Sequence, residues 1–303
     1  MIGKYLFTNP IPMARLTFGI TVCLLALFAS VYSHAESAVV VAVNEDIPQD
    51  YYRFLHGRNP LEIQTYSGDG ARRDIIELVL LMQALNLGGF TQKVELRIEP
   101  SYLRILRGIA DGRFISSGAL MWKTDIDMLP EAFSTSRPLV KEGEFIVGIY
   151  TTLKNQKALS SITPATITEL NVVTNPQWKS DVQTLKELGF KRITYSPNWV
   201  NMARMIEAGR ADITLAPFQM TNNMSIEVGD VNLYPLKGIK VAISGSRHWP
   251  ISRKHAQGDA FFQALERGIM QLEAKGIIQK AYRECGFFHP EIAQWKLLES
   301  THQ

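Results

Sequence analysis

Along the chain, apolar positions fall into two rhythms that alternate. Residues 38–43 (AVVVAV) are a continuous apolar run and predict a buried strand. A polar and aromatic stretch follows to about Gly68 and reads as a long loop. Residues 72–87 place Ile75, Ile76, Val79, Leu80, Met82 and Leu85 near helical spacing, which predicts an amphipathic helix. Residues 93–98 alternate as a second strand. Residues 101–110 form a second helix with a stop signal at Asp111-Gly112, and residues 114–120 a third strand. The order so far is β-α-β-α-β, which implies a sheet with helices on its faces.

The pattern restarts after Tyr150. Residues 170–174, 192–195 and 211–215 read as strands, with helices at 177–188 and 197–208 closed by Gly189 and Gly209. Two further strand-like runs, 144–151 and 240–244, flank this second unit. Residues 257–284 are helical, with Phe261, Leu265, Ile269 and Leu272 on one face. A small α/β unit inserted between two extended segments predicts two lobes joined by a two-stranded hinge, with residues 36–149 and 239–303 in lobe 1 and 150–238 in lobe 2. Such a cleft suits a ligand enclosed by hinge bending.

The N-terminus has a separate rhythm. Lys4 and Arg15 precede about fifteen mostly apolar positions, 16–30 (LTFGITVCLLALFAS), and Ser33 and Ala35 give a small-x-small ending. This is the three-part layout of a cleavable secretory signal over residues 1–35. The apolar run is shorter than the roughly twenty residues of a spanning helix. The mature chain is therefore expected in the bacterial periplasm.

Removing that segment takes away two basic residues and lowers the formal net charge from +3 to about +1. Without a Lys/Arg run, such a chain gives no reason to expect nucleic acid or an anionic membrane as partner. Only Cys285 remains, so an internal disulfide and a cysteine-based metal cluster are both excluded. The histidines show no H-E-x-x-H or H-x-H spacing, and no G-x-S-x-G, G-x-x-x-x-G-K-[ST] or G-x-G-x-x-G occurs. Nothing here calls for a catalytic constellation, a metal or a cofactor.

Four pieces, in order, carry a resemblance. They are residues 106–112 (LRGIADG), 133–138 (FSTSRP), 206–212 (IEAGRAD) and 272–278 (LEAKGII), the last followed by Tyr282 and Gly286. Together they resemble the bacterial extracellular solute-binding proteins of the polar amino-acid type, with the class 2 periplasmic binding fold. The resemblance implies an α/β, two-lobed protein whose lobes are mixed sheets flanked by helices. It also implies a small polar solute as ligand, no cofactor, a monomer, and an inner-membrane ABC-type transporter or a membrane sensor as partner. Amino-acid binders of that family carry a "T-x-T-x-x-R" stretch. Here residues 122–127 (WKTDID) stand in its place, with Thr124 matching and Asp127 where the arginine would be. The ammonium-binding carboxylate is replaced near Ala216-Pro217. Both anchors of an α-amino acid are altered, and the acidic pair Asp125 and Asp127 points instead to a cationic or hydroxyl-rich ligand, or to a cleft that has lost binding.

Ligands of open α/β sheets sit beyond the carboxyl ends of strands, which selects the candidate ligand contacts. Asp46, Tyr51 and Tyr52 follow the first strand, as an aromatic wall with a polar contact or as plain surface packing. Trp122, Lys123, Thr124 and Asp127 follow the third. Asn175 and Trp178 follow the first strand of lobe 2, where a helix opens, and Phe218 follows its last strand. Arg104 and Arg107 read as a solvated helix face, and Cys285 as packed. The alternatives to a transport receptor are a ligand sensor and a dehydratase-like enzyme on the same scaffold.

Overall fold

The computed structural model describes residues 38–159, 162–163 and 166–299. The expected signal segment lies outside them. Within the described residues no helix is long and apolar enough to cross a membrane.

The first strand, β1 (Val39–Asn44), explains the first lobe's layering. Val39, Val41 and Val43 join one apolar cluster, while Ala42 joins another on the opposite face with Val40 packed against it. A strand turns alternate side chains to opposite faces, so an unbroken apolar run means burial on both. Helices cover each side. α1 (Ile47–Leu55) follows β1, then α2 (Arg73–Leu87), the edge strand β2 (Val94–Glu99) and α3 (Tyr102–Ala110), whose N-cap Ser101 accepts from the Arg104 amide. The short β3 (Ser116–Ser117), β4 (Met121–Trp122), α4 (Lys123–Ile126) and β5 (Phe133–Thr135) complete the outward half.

The second lobe begins with β6 (Ile146–Thr152) and α5 (Leu153–Ala158), then β7 (Asn171–Thr174), α6 (Lys179–Glu187), β8 (Arg192–Tyr195), α7 (Trp199–Glu207) and β9 (Thr214–Pro217). The hairpin β10 (Ile226–Val228) and β11 (Val231–Ala242) leads back. β12 (Arg247–His248), β13 (Pro250–Ser252), α8 (Gly258–Ala274), α9 (Ile277–Glu284) and β14 (Lys296–Leu297) follow.

The strand order defines two mixed sheets. The first runs β2-β1-β3-β13-β5, with β1 parallel to β2 and β3 and β13 antiparallel to its neighbours. The second runs β10-β11-β6-β9, and a parallel bridge from Val172 to Ile213 adds the β7-β8 pair. β13 is thus a strand from late in the chain inserted between early ones, so the lobes are interwoven by two crossings. The crossings pair with each other. The Ser136 amide donates to the Trp249 carbonyl at 3.1 Å, Arg247 to Val140 at 2.9 Å and Ile243 to Phe145 at 2.9 Å. A third connection was not legible in the sequence. Beyond Gly286 the chain runs to the second sheet, where β14 pairs with β11 and Ile292 and Trp295 enter the second lobe's core.

Two element assignments change. The stretch to Gly68 holds α1 and a 3-10 turn at Pro60–Glu62 rather than only loop. The C-terminal helical stretch is two helices, broken at Gly276, whose φ of 66° is left-handed. α2 and α8 pack at backbone contact distance. A Cβ on Gly268 would lie 1.8 Å from the Ala84 carbonyl oxygen, and one on Gly88 1.8 Å from that of Ala264.

Candidate functional site

The lobes touch across the cleft. Lys179, opening α6 in the second lobe, places its ammonium 3.6 Å from Asp125 Oδ1 and 2.8 Å from Met128 Sδ in the first. The Ser244 amide on the returning crossing donates to Thr184 Oγ1 on α6 at 3.2 Å. Asp125 is only 2% exposed and accepts from the Tyr102 hydroxyl at 2.9 Å.

Behind this contact lies a buried polar cluster drawn from five distant segments. Arg247, 7% exposed, lies with its guanidinium carbon 4.9 Å from the Trp122 ring centre and 5.1 Å from that of Phe145. One of its Nη groups donates to the Leu120 carbonyl. Arg73, at the start of α2, stands 5.4 Å from the same Phe145 ring. Its Nη1 donates to Glu77 Oε1 at 2.8 Å, and the other Glu77 oxygen accepts from the Leu120 amide at 2.8 Å. Glu77 is fully buried, so both its oxygens are committed within the first lobe. Three donors in this cluster are buried without a partner: Arg73 Nε, Arg247 Nε and the Tyr282 hydroxyl. Burial pushes the Tyr282 phenol well above its ordinary range, and burial together with the Arg73 charge pulls Arg247 down. Asp181 on α6 of the second lobe makes no ion pair with these groups. Burial pushes its carboxyl up to about 6, against the lowering pull of Arg247 and then Arg73.

His248 belongs to the crossing rather than to this cluster. Its Nδ1 lies 2.6 Å from the Ser136 carbonyl, which can only accept, so Nδ1 carries the proton. Nε2 is then free to accept from Ser246 Oγ at 2.8 Å. Burial pulls its pKa down, which keeps the ring neutral at pH 7.

The residues selected from the sequence divide. Trp122 lies in the cluster, as a stacking surface for Arg247. Lys123 and Asp127 pair with each other across one turn beside it, and Thr124 is exposed on the same turn. With Asp127 held by Lys123 and Asp125 by Tyr102 and Lys179, the acidic pair is not free to hold a cation. Asp46 pairs with Arg72 at 2.9 Å, in a cluster with Asp50 and Asp74. Tyr51 is buried on α1, and Tyr52 is 65% exposed. Both line a surface depression with Met82, Val94 and Leu96 at the outer edge of the first sheet, so the aromatic wall faces away from the other lobe. Asn175 holds its own turn, accepting from the Gln177 amide at 2.9 Å and donating to the Pro197 carbonyl at 3.0 Å. Trp178 packs near Trp199 in the second lobe's core. Phe218 is 1% exposed, enclosed by Tyr150, His289 and Trp295, so its ring has no free face for a ligand. Arg73, Glu77, Phe145, Asp181, Arg247 and Tyr282 were missed. Arg73 and Asp181 sit at helix starts that the pattern located.

No family model and no curated protein matches the sequence. Solved structures do match in fold. A probable amino-acid ABC transporter extracellular-binding protein from Bacillus subtilis superposes with a TM-score of 0.55 at 13% identity, over 81% of this chain and 96% of that one. An amino acid ABC transporter substrate-binding protein from Streptococcus pneumoniae, bound to L-arginine, gives 0.51 at 15% identity, over 80% and 91%. The periplasmic VFT2 domain of BvgS from Bordetella pertussis gives 0.51 at 13% identity, over 86% and 97%. The chain therefore has the two-lobed, class 2 periplasmic binding fold, as the sequence resemblance implied. Among the described residues, no group of three His, Cys, Asp or Glu side chains is placed to hold a metal ion.

Proposed function

We propose that this protein is a periplasmic receptor that closes two lobes on a small polar solute and presents it to an inner-membrane transporter. The observation that carries this is the fold itself, two lobes that meet through the Lys179–Asp125 pair and the Ser244–Thr184 hydrogen bond, with three buried donors without a partner behind that contact. Buried polar groups are normally hydrogen-bonded, and a bound solute would satisfy these. The relatives in fold bound to L-arginine and, in Silicibacter pomeroyi, to lysine support a small polar ligand. In this reading the lobe boundaries move from 149/150 and 238/239 to the paired crossings near 136–145 and 243–249. Residues beyond Gly286 join the second lobe.

A second reading, a sensor that reports its ligand to a membrane signalling protein, has its support in the likeness to the BvgS domain. The two readings share the cleft and differ in the partner. An enzyme on this scaffold remains the third.

The test is a thermal-shift screen against amino acids, polyamines, organic acids, sugars and small peptides. A ligand at a hundred times its Kd adds about 2.7 kcal/mol. A hit recovered unchanged after dialysis supports the receptor. A hit that is consumed supports the enzyme, and silence across the library contradicts both.

A further inference from the structure

We infer that β2 pairs with β2 of a second copy of this chain, antiparallel and centred on Leu96, so that the first sheets of two molecules join into one. This stands apart from the receptor reading, and it replaces the monomer that the family resemblance implied.

The backbone leaves the place open. β2 closes one end of the first sheet, and among the described residues no strand lies along its outer edge. On its inner side it pairs with β1 along its whole length, in unbroken register. The Val39 amide donates to the Lys93 carbonyl at 2.9 Å. Parallel pairing turns the backbone groups of alternate residues to opposite sides. Glu95 and Arg97 therefore bond to β1, and Val94, Leu96 and Ile98 direct their N–H and C=O groups outward. Such a row is a template for another strand unless a bulge, a proline, short length or charge blunts it. β2 spans six residues and has neither bulge nor proline.

Charge here favours pairing with a copy instead of opposing it. Residues 93–99 read Lys-Val-Glu-Leu-Arg-Ile-Glu. Reversed about Leu96, every acidic position falls on a basic one. Glu95 meets Arg97 of the second copy, Lys93 meets Glu99, Val94 meets Ile98, and Leu96 meets itself. The two-fold axis repeats each pair. Opposite charges across strands stabilise and like charges oppose. Glu95 and Arg97 would also form the non-hydrogen-bonded pair, in which side chains lie closest. Moving the axis to Glu95 sets Glu95 against itself and Lys93 against Arg97. Moving it to Arg97 sets Arg97 against itself and Glu95 against Glu99. An axis between two residues opposes outward backbone groups to inward ones, and an axis at Val94 or Ile98 shortens the overlap. Within one chain the Lys93 ammonium lies 2.8 Å from Glu95, a pair 74% and 51% exposed, so it holds Glu95 only weakly.

The other face of β2 is apolar. Val94 and Leu96 pack half-buried against the first cluster, while Ile98 is 54% exposed. Val94 and Leu96 rim the depression lined by Tyr51, Tyr52, Leu55 and Met82. A second copy in this register sets its Ile98 beside Val94, next to that depression, and removes apolar surface from water.

The test is sedimentation velocity on protein produced from the full-length chain, over micromolar to near-millimolar concentrations. The variants are Glu95→Arg, Arg97→Glu, the two together, and Glu95→Arg with Arg210→Glu, which restores the net charge on the second lobe instead. All three positions are exposed, and folding is checked by circular dichroism. The expected result is a reversible dimer of the wild type, with a dissociation constant raised about tenfold or more by either single change. Exchanging both charges should recover the dimer, and so should mixing the two single variants. The variant with Arg210→Glu should remain as weak as Glu95→Arg alone. A wild type that stays monomeric over the whole range overturns the inference. So does a dimer indifferent to the single changes, a double exchange that fails to recover it, or recovery by Arg210→Glu, which would assign the effect to net charge. The receptor reading stands under each of these outcomes.

Discussion

The ammonium of Lys179 in the second lobe lies 3.6 Å from the carboxylate of Asp125 in the first, and this pair joins the two lobes. The two ends differ in environment. Asp125 is 3% exposed at its side chain and has the Tyr102 hydroxyl as a second partner, whereas Lys179 is half in solvent. A pair with one wet end stabilises little, about 0–1 kcal/mol. Its effect therefore falls on the balance between closed and open lobes rather than on folding. Lys179→Gln should lower the melting temperature by only about 2 °C and raise the radius of gyration measured by small-angle X-ray scattering. An unchanged scattering profile would show that the pair does not hold the lobes.

Asp181 makes stability depend on pH with a definite sign. Burial raises its folded pKa to about 6, above the roughly 3.9 of an unfolded chain. The contribution is fully present below pH 4 and is lost as pH rises through 6. A rise of that size corresponds to at most ~3 kcal/mol, and less here because the side chain is only half-buried. Other carboxylates titrate in the same range, so the informative quantity is wild type minus Asp181→Asn in urea unfolding. That difference should fall by about 1–2 kcal/mol between pH 4 and pH 7 and be flat if Asp181 is fully solvated.

Glu77 is buried, holding Arg73 on one oxygen and the Leu120 amide on the other. Glu77→Ala leaves a guanidinium uncompensated and an amide unmet. Removal of one partner of a buried pair costs about 3–5 kcal/mol. A shift of the urea midpoint equivalent to less than ~1 kcal/mol would show that water replaces the carboxylate freely.

The α2–α8 contact is limited by backbone. A Cβ on Gly268 meets the Ala84 carbonyl oxygen at 1.8 Å, and a carbonyl in the middle of a helix cannot swing aside. Gly268→Ala should therefore destabilise despite the better helix propensity of alanine. Overpacking of this kind costs about 1–3 kcal/mol, readable as a lower melting temperature. Gly276→Ala acts by strain instead, since its φ is 66° with open space around it, and should cost about 1 kcal/mol.

Much of the fold was legible because period and burial agree. Residues 192–195 form the strand that the pattern marked, and α2 starts within a residue of the predicted position. α1 was hidden because its nine residues begin with Ile47-Pro48 and no side chain caps its N-terminus. β11 was read short, as 240–244, because Pro235 and Gly238 interrupt its apolar rhythm; the observed strand bulges between Pro235 and Lys240. The cleft was less legible for a different reason. Selecting residues after strand ends found Trp122, but it also selected Tyr51 and Phe218, which pack into the cores. Arg73, Asp181, Arg247 and Tyr282 are separated by tens of residues and belong to no motif. The approach of Arg73 and Arg247 to one Phe145 ring, and of Tyr282 on α9 to α2, is made by tertiary packing, which a one-dimensional pattern does not encode.

The most direct test of the central claim, that these lobes enclose a small solute, is calorimetric titration of a thermal-shift hit, followed by recovery of the bound molecule. The expected result is a saturable one-to-one isotherm, a smaller radius of gyration on binding, and release of the solute chemically unchanged. An absence of heat with every solute class, with scattering unaltered, would contradict it.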